Sequence, residues 1–203
     1  MIIVAFDPAV RNLGYVVLKK SNGCFNLLDF GVVSPKEAVP ESLYLTKTGK
    51  RKKNLENLLL NPMAELSYSK DTYDFVLKLL KKYSPNAVCI EKPDLRPFIP
   101  RRTQAMLYVV YTSILLALAN SKVKAELFSL SKPGVDKLLG LKGRTNYRER
   151  KKFSVERYKD IIPLALERKI SKGKIEHITD SLMVAEAYLK FKGILGGIEL
   201  CQK

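Results

Sequence analysis

Cysteine, histidine and acidic side chains are all scarce. Three cysteines, Cys24, Cys89 and Cys201, lie far apart with no CxxC spacing. That argues against a zinc knuckle and against a disulfide framework, and it suits a reducing compartment. The longest apolar stretch, Met106 to Ala119, is interrupted by Thr112 and Ser113. It falls short of the ~20 residues that cross a bilayer, so it reads as a buried helix and no membrane association is expected. The segment after Met1 lacks the basic start and small-residue cleavage site of a signal peptide, so an intracellular, non-secreted protein is expected. Gly-rich phosphate loops are also missing, which argues against an ATP-binding protein.

What the chain does have is positive charge. Its 36 Lys and Arg stand against 20 Asp and Glu, a formal net charge of +16. A field of that sign draws polyanions, above all nucleic acid, whose condensed counterions are released when phosphates are neutralised. With 203 residues and 46% hydrophobic content, the chain can build one real core, and a single domain over 1–203 is expected.

Apolar runs at Ile2–Phe6 and Leu13–Leu18, joined by a short loop, predict two adjacent strands. A third is predicted over Cys24 to Val33 after the Ser21-Asn22-Gly23 turn, giving an antiparallel meander. From Pro35 to Asn54 no apolar period can be drawn, and Lys47 to Lys53 is strongly basic, so an exposed loop is expected there, within a basic loop insertion around 35–67. Tyr73, Val76, Leu77, Leu79 and Leu80 predict a helix over Tyr68 to Tyr83. Ala87 to Ile90 predicts a buried strand ending at Glu91, Thr103 to Asn120 an apolar helix, and Val123 to Leu130 a fifth strand. Helices over Asn146 to Asp160 and Glu176 to Phe191 close the chain. This order predicts an α/β fold with a mixed sheet.

Three acids end or adjoin apolar runs: Asp7 after the first strand, Glu91 after the fourth, and Asp180 near the start of the last helix. A carboxylate beside a buried strand must be hydrated, paired or metal-bound to escape desolvation. A single aspartate after a strand is more often a turn or capping residue than a catalyst. Three acids converging would instead demand cations, and two hard divalent ions such as Mg²⁺ suit in-line phosphodiester displacement. His177 and Asp180, spaced i, i+3, would share one helical face.

Ile3-Val4-Ala5-Phe6-Asp7 through Asn12-Leu13-Gly14-Tyr15 resembles the opening motif of RuvC-type resolvases, enzymes of the RNase H-like superfamily. Cys89-Ile90-Glu91-Lys92-Pro93 resembles the second acidic motif of that family, and His177-Ile178-Thr179-Asp180-Ser181-Leu182 its C-terminal motif. The segment Tyr147 to Glu156 is similar to a basic motif of the poxvirus-type Holliday junction resolvases.

The resemblance implies an RNase H-like fold with a central five-stranded mixed sheet, its first three strands antiparallel, flanked by helices. It implies a homodimeric, metal-dependent endonuclease that places paired symmetric nicks in four-way DNA, acting in recombination and repair. Asp7, Glu91, His177 and Asp180 would hold two Mg²⁺. His177 stands where most members carry a second aspartate, and a nitrogen ligand there would tune preference toward Mn²⁺. Lys152 would stabilise charge on the scissile phosphate. A large DNA virus as source, and hence the site of viral DNA replication in the host, follows by analogy.

The prolines, arginines and aromatic ring of the loop Pro93 to Arg102 suggest a DNA grip, with Phe98 stacking at the crossover and Arg96, Arg101 and Arg102 on phosphates. A core-packed Phe98 is the competing reading. Arg148, Arg150 and Lys151 are further candidates for DNA contact. The apolar helix 103–120 must be sandwiched within its own fold or shared between subunits, and the dimer interface is the expected role. Other readings are an RNase H-like nuclease for flaps or RNA–DNA hybrids, and a non-catalytic branched-DNA binding protein.

Overall fold

A computed structural model describes residues 1–9, 12–34, 62–94, 101–142, 145–194 and 197–201, with backbone alone for 62–68 and 101–102. The elements in chain order are β1 (Ile2–Asp7), β2 (Leu13–Lys20), β3 (Phe25–Val33), α1 (Pro62–Tyr83), β4 (Ala87–Lys92), α2 (Arg101–Ser121), β5 (Glu126–Ser131), α3 (Lys132–Leu138), α4 (Tyr147–Arg157), α5 (Ile161–Glu167) and α6 (Lys172–Phe191).

The strands form one sheet in the order β3-β2-β1-β4-β5. The meander is antiparallel, while β4 runs parallel to β1 and β5 parallel to β4. This is the expected RNase H-like architecture, with the expected mixed sheet. Both faces of the central strands are covered, which is why β1 and β4 read as continuous apolar runs rather than alternating ones.

The period-two alternation of strand side chains divides the core in two. Val4, Phe6, Tyr15, Val17, Val88 and Ile90 pack toward α1 and α2 through Val76, Leu80, Val110 and Ile114. Ile3, Ala5, Val16, Leu18, Cys89 and Phe128 pack on the other face, toward α6 through Ile178, Leu182 and Ala185. Asp7 and Glu91 continue the odd-numbered rows of β1 and β4 and so turn toward α6.

Three details depart from the sequence reading. Helix α1 begins at Pro62 rather than Tyr68, which takes its first turns out of the expected 35–67 insertion; residues 35–61 lie outside the described residues. Helix α2 contains a stretch, Thr103–Ser121, long and apolar enough by length and composition to cross a membrane. Its inner face nevertheless belongs to the core, where Ser113 bonds Ser69 at 2.8 Å and Tyr111 bonds Ser129 at 2.8 Å.

The third departure is a disulfide between Cys24 and Cys201, 177 residues apart. Linear spacing gives no hint of it. A parallel bridge of Leu200 beside Phe25 brings the C-terminal segment alongside the start of β3. Cys89 is the buried free cysteine.

Closing so long a loop restricts the unfolded chain, so Cys201→Ser is expected to lower stability by about 2–4 kcal/mol under oxidising conditions. Urea unfolding with and without reductant checks this. The parent should fall to the variant's stability in reductant, and equal curves for both proteins without reductant would contradict it.

Candidate active site

The site begins with the pairing of β1 and β4. Phe6 lies opposite Ile90 in parallel register, so the next residues, Asp7 and Glu91, stand side by side at the ends of neighbouring strands and face α6. Helix α6 closes over them because β2 carries glycine where the helix passes. A Cβ at Gly14 would overlap the backbone carbonyl of His177. Gly14 is also the β2 partner of Asp7. One missing side chain therefore lets α6 come down onto the strand that holds the first acid.

His177 Nδ1 lies 2.9 Å from Asp7 Oδ2, and Nε2 lies 3.5 Å from Asn12 Nδ2. A neutral ring that donates from Nδ1 to the carboxylate and accepts at Nε2 from the amide satisfies both contacts. Burial works against the imidazolium, but the hydrogen bond and charge of Asp7 outweigh it, and His177 titrates above its ordinary value. Both ring nitrogens are thus engaged, Nδ1 with Asp7 and Nε2 with Asn12.

Asp180, one turn further along α6, is pushed up to about 7 by burial first and by the charge of Asp7 next; Arg150 and Lys132 act in the opposite direction. Burial likewise raises Glu91, opposed by Arg150. The acids repel one another in a crevice that water barely reaches, which is the electrostatic situation a cation relieves.

The cation in place is Arg150. It was expected among the DNA contacts, yet it is 1% exposed. Nη2 donates to Glu91 Oε2 at 2.5 Å, while Nε lies 3.5 Å from Asp136 and 3.8 Å from Asp180. The cause is helical phase. Arg150, Ser154 and Tyr158 are buried along one stripe of α4 and its C-cap, and Arg157, exposed at the edge of that stripe, pairs with the buried Glu186. Lys152 falls on the opposite side, where its side chain is 76% exposed and pairs with Glu156. The cations that line the pocket beside Asp180 are Lys132, Arg150 and Lys151, the last bonded to Glu176 at 2.7 Å.

Arg148 is exposed. Arg96 and Phe98 lie outside the described residues, and Arg101 and Arg102 open α2 with backbone alone. Sequence reasoning missed Lys132 and Asp136. Lys132 follows β5 directly as the first residue of α3, and Asp136 is a buried acid one turn later.

By chemistry, Asp7, Glu91 and Asp180 are fit oxygen donors for a hard divalent ion. As arranged, no three His, Cys, Asp or Glu side chains among the described residues stand close enough to hold one together. The guanidinium of Arg150 lies among them.

A carboxyl whose pKa is raised on folding contributes stability below its unfolded value and loses it as pH climbs through the folded one. For Asp180 that window runs from about 4 to about 7. In chelator, Asp180→Asn should therefore be more stable than the parent at about pH 8, by an amount that shrinks toward zero near pH 4. Urea unfolding across pH measures it, and an advantage that grows on acidification would refute the assignment.

No curated protein sequence matches the chain significantly. Among solved structures it is similar to Thermus thermophilus RuvC in complex with Holliday junction substrate, at 16% identity and TM-score 0.62, over 96% of each chain. The yeast mitochondrial Holliday junction resolvase aligns at 9% identity and TM-score 0.58, over 94% of this chain and 78% of that one. The fowlpox virus Holliday junction resolvase aligns at 15% identity and TM-score 0.50, over 96% and 100%. At these identities the likeness is one of fold. Residues 1–192 match the family described as Poxvirus A22 protein, and the chain belongs to that family.

Proposed function

We propose that this protein is a Holliday junction resolvase, a divalent-cation-dependent endonuclease that nicks four-way DNA as a homodimer. The observation that carries the reading is the placement of Asp7, Glu91 and Asp180, from two strands and a helix, on one basic crevice in a chain of the A22 family. The relatives of matching fold are named as Holliday junction resolvases or bound to that substrate.

Divalent ions such as Mg²⁺, when bound by Asp7, Glu91 and Asp180, supply the charge neutralisation that in-line phosphodiester displacement needs. The chain's own groups do the rest. His177 fixes the rotamer of Asp7 through its 2.9 Å contact. Lys132, half-buried beside the acids, is better placed than Lys152 to meet a non-bridging phosphate oxygen. Arg148, Lys151 and Lys152, all exposed on α4, take backbone phosphates along the arm. Arg96 and Phe98, in the segment before α2, and Arg101 and Arg102, its first two residues, keep their proposed role on the crossover.

Helix α2 supports the dimer. Only 22% of its apolar stretch is buried within the chain, and Leu116 is 52% exposed. A second subunit would cover that face and supply the second active site that paired nicks require.

With labelled four-way junction, flap and duplex in Mg²⁺, paired cuts are expected in the junction alone, and Asp180→Asn should slow them by about 100-fold or more. Lys132→Ala should lower the saturated single-turnover rate, whereas Lys152→Ala should weaken affinity and flatten its salt dependence. Equal cutting of duplex or flap would favour a broader nuclease, and no cutting by the parent would favour a binding protein.

A further inference from the structure

Arg150 and Arg157, the two arginines of α4 that pair with buried or half-buried acids, are bonded very differently. Arg157 is geometrically satisfied: Nε and Nη2 both donate to the Glu186 carboxylate, which also accepts from the Tyr158 hydroxyl. That is a fixed structural clamp. Arg150 is the more buried of the two, yet among the described residues its one hydrogen bond runs from Nη2 to Glu91. Its Nε and Nη1 make no hydrogen bond among the described residues, and Nε has only the 3.5 Å ion pair with Asp136 and the 3.8 Å one with Asp180. A guanidinium offers five donors in a rigid fork, and a site built to hold one permanently would use more of them. Arg150 is held by the summed charge of Glu91, Asp136 and Asp180, which any other cation at the same place can replace.

Resting on the cation-dependent reading above, we propose that Arg150 is a competitive counter-cation: it holds Glu91 and Asp180, a divalent ion must displace it to bind them, and Asp136 receives it when it leaves. The competition follows from geometry. Nη2 occupies the Glu91 Oε2 coordination direction at 2.5 Å, and the guanidinium lies within 3.8 Å of Asp180. A divalent ion shared by those two carboxylates would bring like charges into contact, which a low-dielectric crevice punishes. Asp136 lies 3.5 Å from Nε, is itself buried, and projects from α3 rather than from the β1–β4 pair. A short swing therefore keeps the arginine paired while it releases Glu91. The displaced guanidinium stays beside Lys132, where it adds a second positive group for phosphate.

The test is Mn²⁺ binding to the full chain without DNA, followed by loss of the free-ion paramagnetic resonance signal. Arg150→Met should bind Mn²⁺ about fivefold or more tightly than the parent, while Arg150→Lys, which keeps the charge, stays near the parent value. Asp136→Asn should move the other way, because Arg150 then has no partner but the proposed ligands; this variant decides the matter if Arg150→Met does not fold. Equal or weaker Mn²⁺ binding by folded Arg150→Met, or unchanged or tighter binding by Asp136→Asn, overturns the proposal and leaves the cation-dependent reading standing. Absence of Mn²⁺ binding by the parent and Arg150→Met alike overturns both.

Discussion

Negative charge gathered where water is nearly excluded is the condition to which the rest of this molecule answers. Parallel register sets Asp7 beside Glu91, and α6 adds Asp180 above them. A cluster of that kind is stable only if positive charge is delivered to it from elsewhere in the chain. Arg150 and Lys132 deliver it, from helices α4 and α3, and α4 has no continuous apolar stripe by which to dock. Its buried residues are Arg150 and Ser154, and Arg157 adds an ion pair to the buried Glu186 from the edge. The helix is fastened to the core by the same electrostatic demand that defines the site.

That inversion also explains what the sequence conceals. Strands β1 and β4 are legible because both their faces are covered, so each is an unbroken apolar run with an acid at its end. His177 and Asp180 are legible by spacing on one helical face. Arg150 stands in a stripe of perfectly helical spacing, but a reading that looks for buried faces in apolar residues takes a row of arginine and serine for a solvated one. Its partner Glu91 is 59 residues away, and nothing local to either residue announces the pairing. Lys152 has the complementary placement: its motif position suggests the site, and helical phase turns its side chain to solvent.

The remaining misses have simpler causes. Helices α3 and α5 have seven residues each, too few for an apolar period to declare itself. The cysteine pair depends on a strand contact between residues near opposite ends of the described chain, and no spacing rule reaches that far. Tertiary proximity is what decides such features, and the local sequence carries no trace of it.

The close passage of α6 over Gly14 sets a limit on how this site can diversify. His177 and Asp180 ride on one rigid helix, so a side chain at position 14 would lever both away from Asp7 at once. Substitution there can be tolerated only alongside a compensating change in the path of α6. Position 14 and the first turns of that helix are therefore expected to covary as a unit, although neither Gly14 nor the backbone it admits takes any part in chemistry.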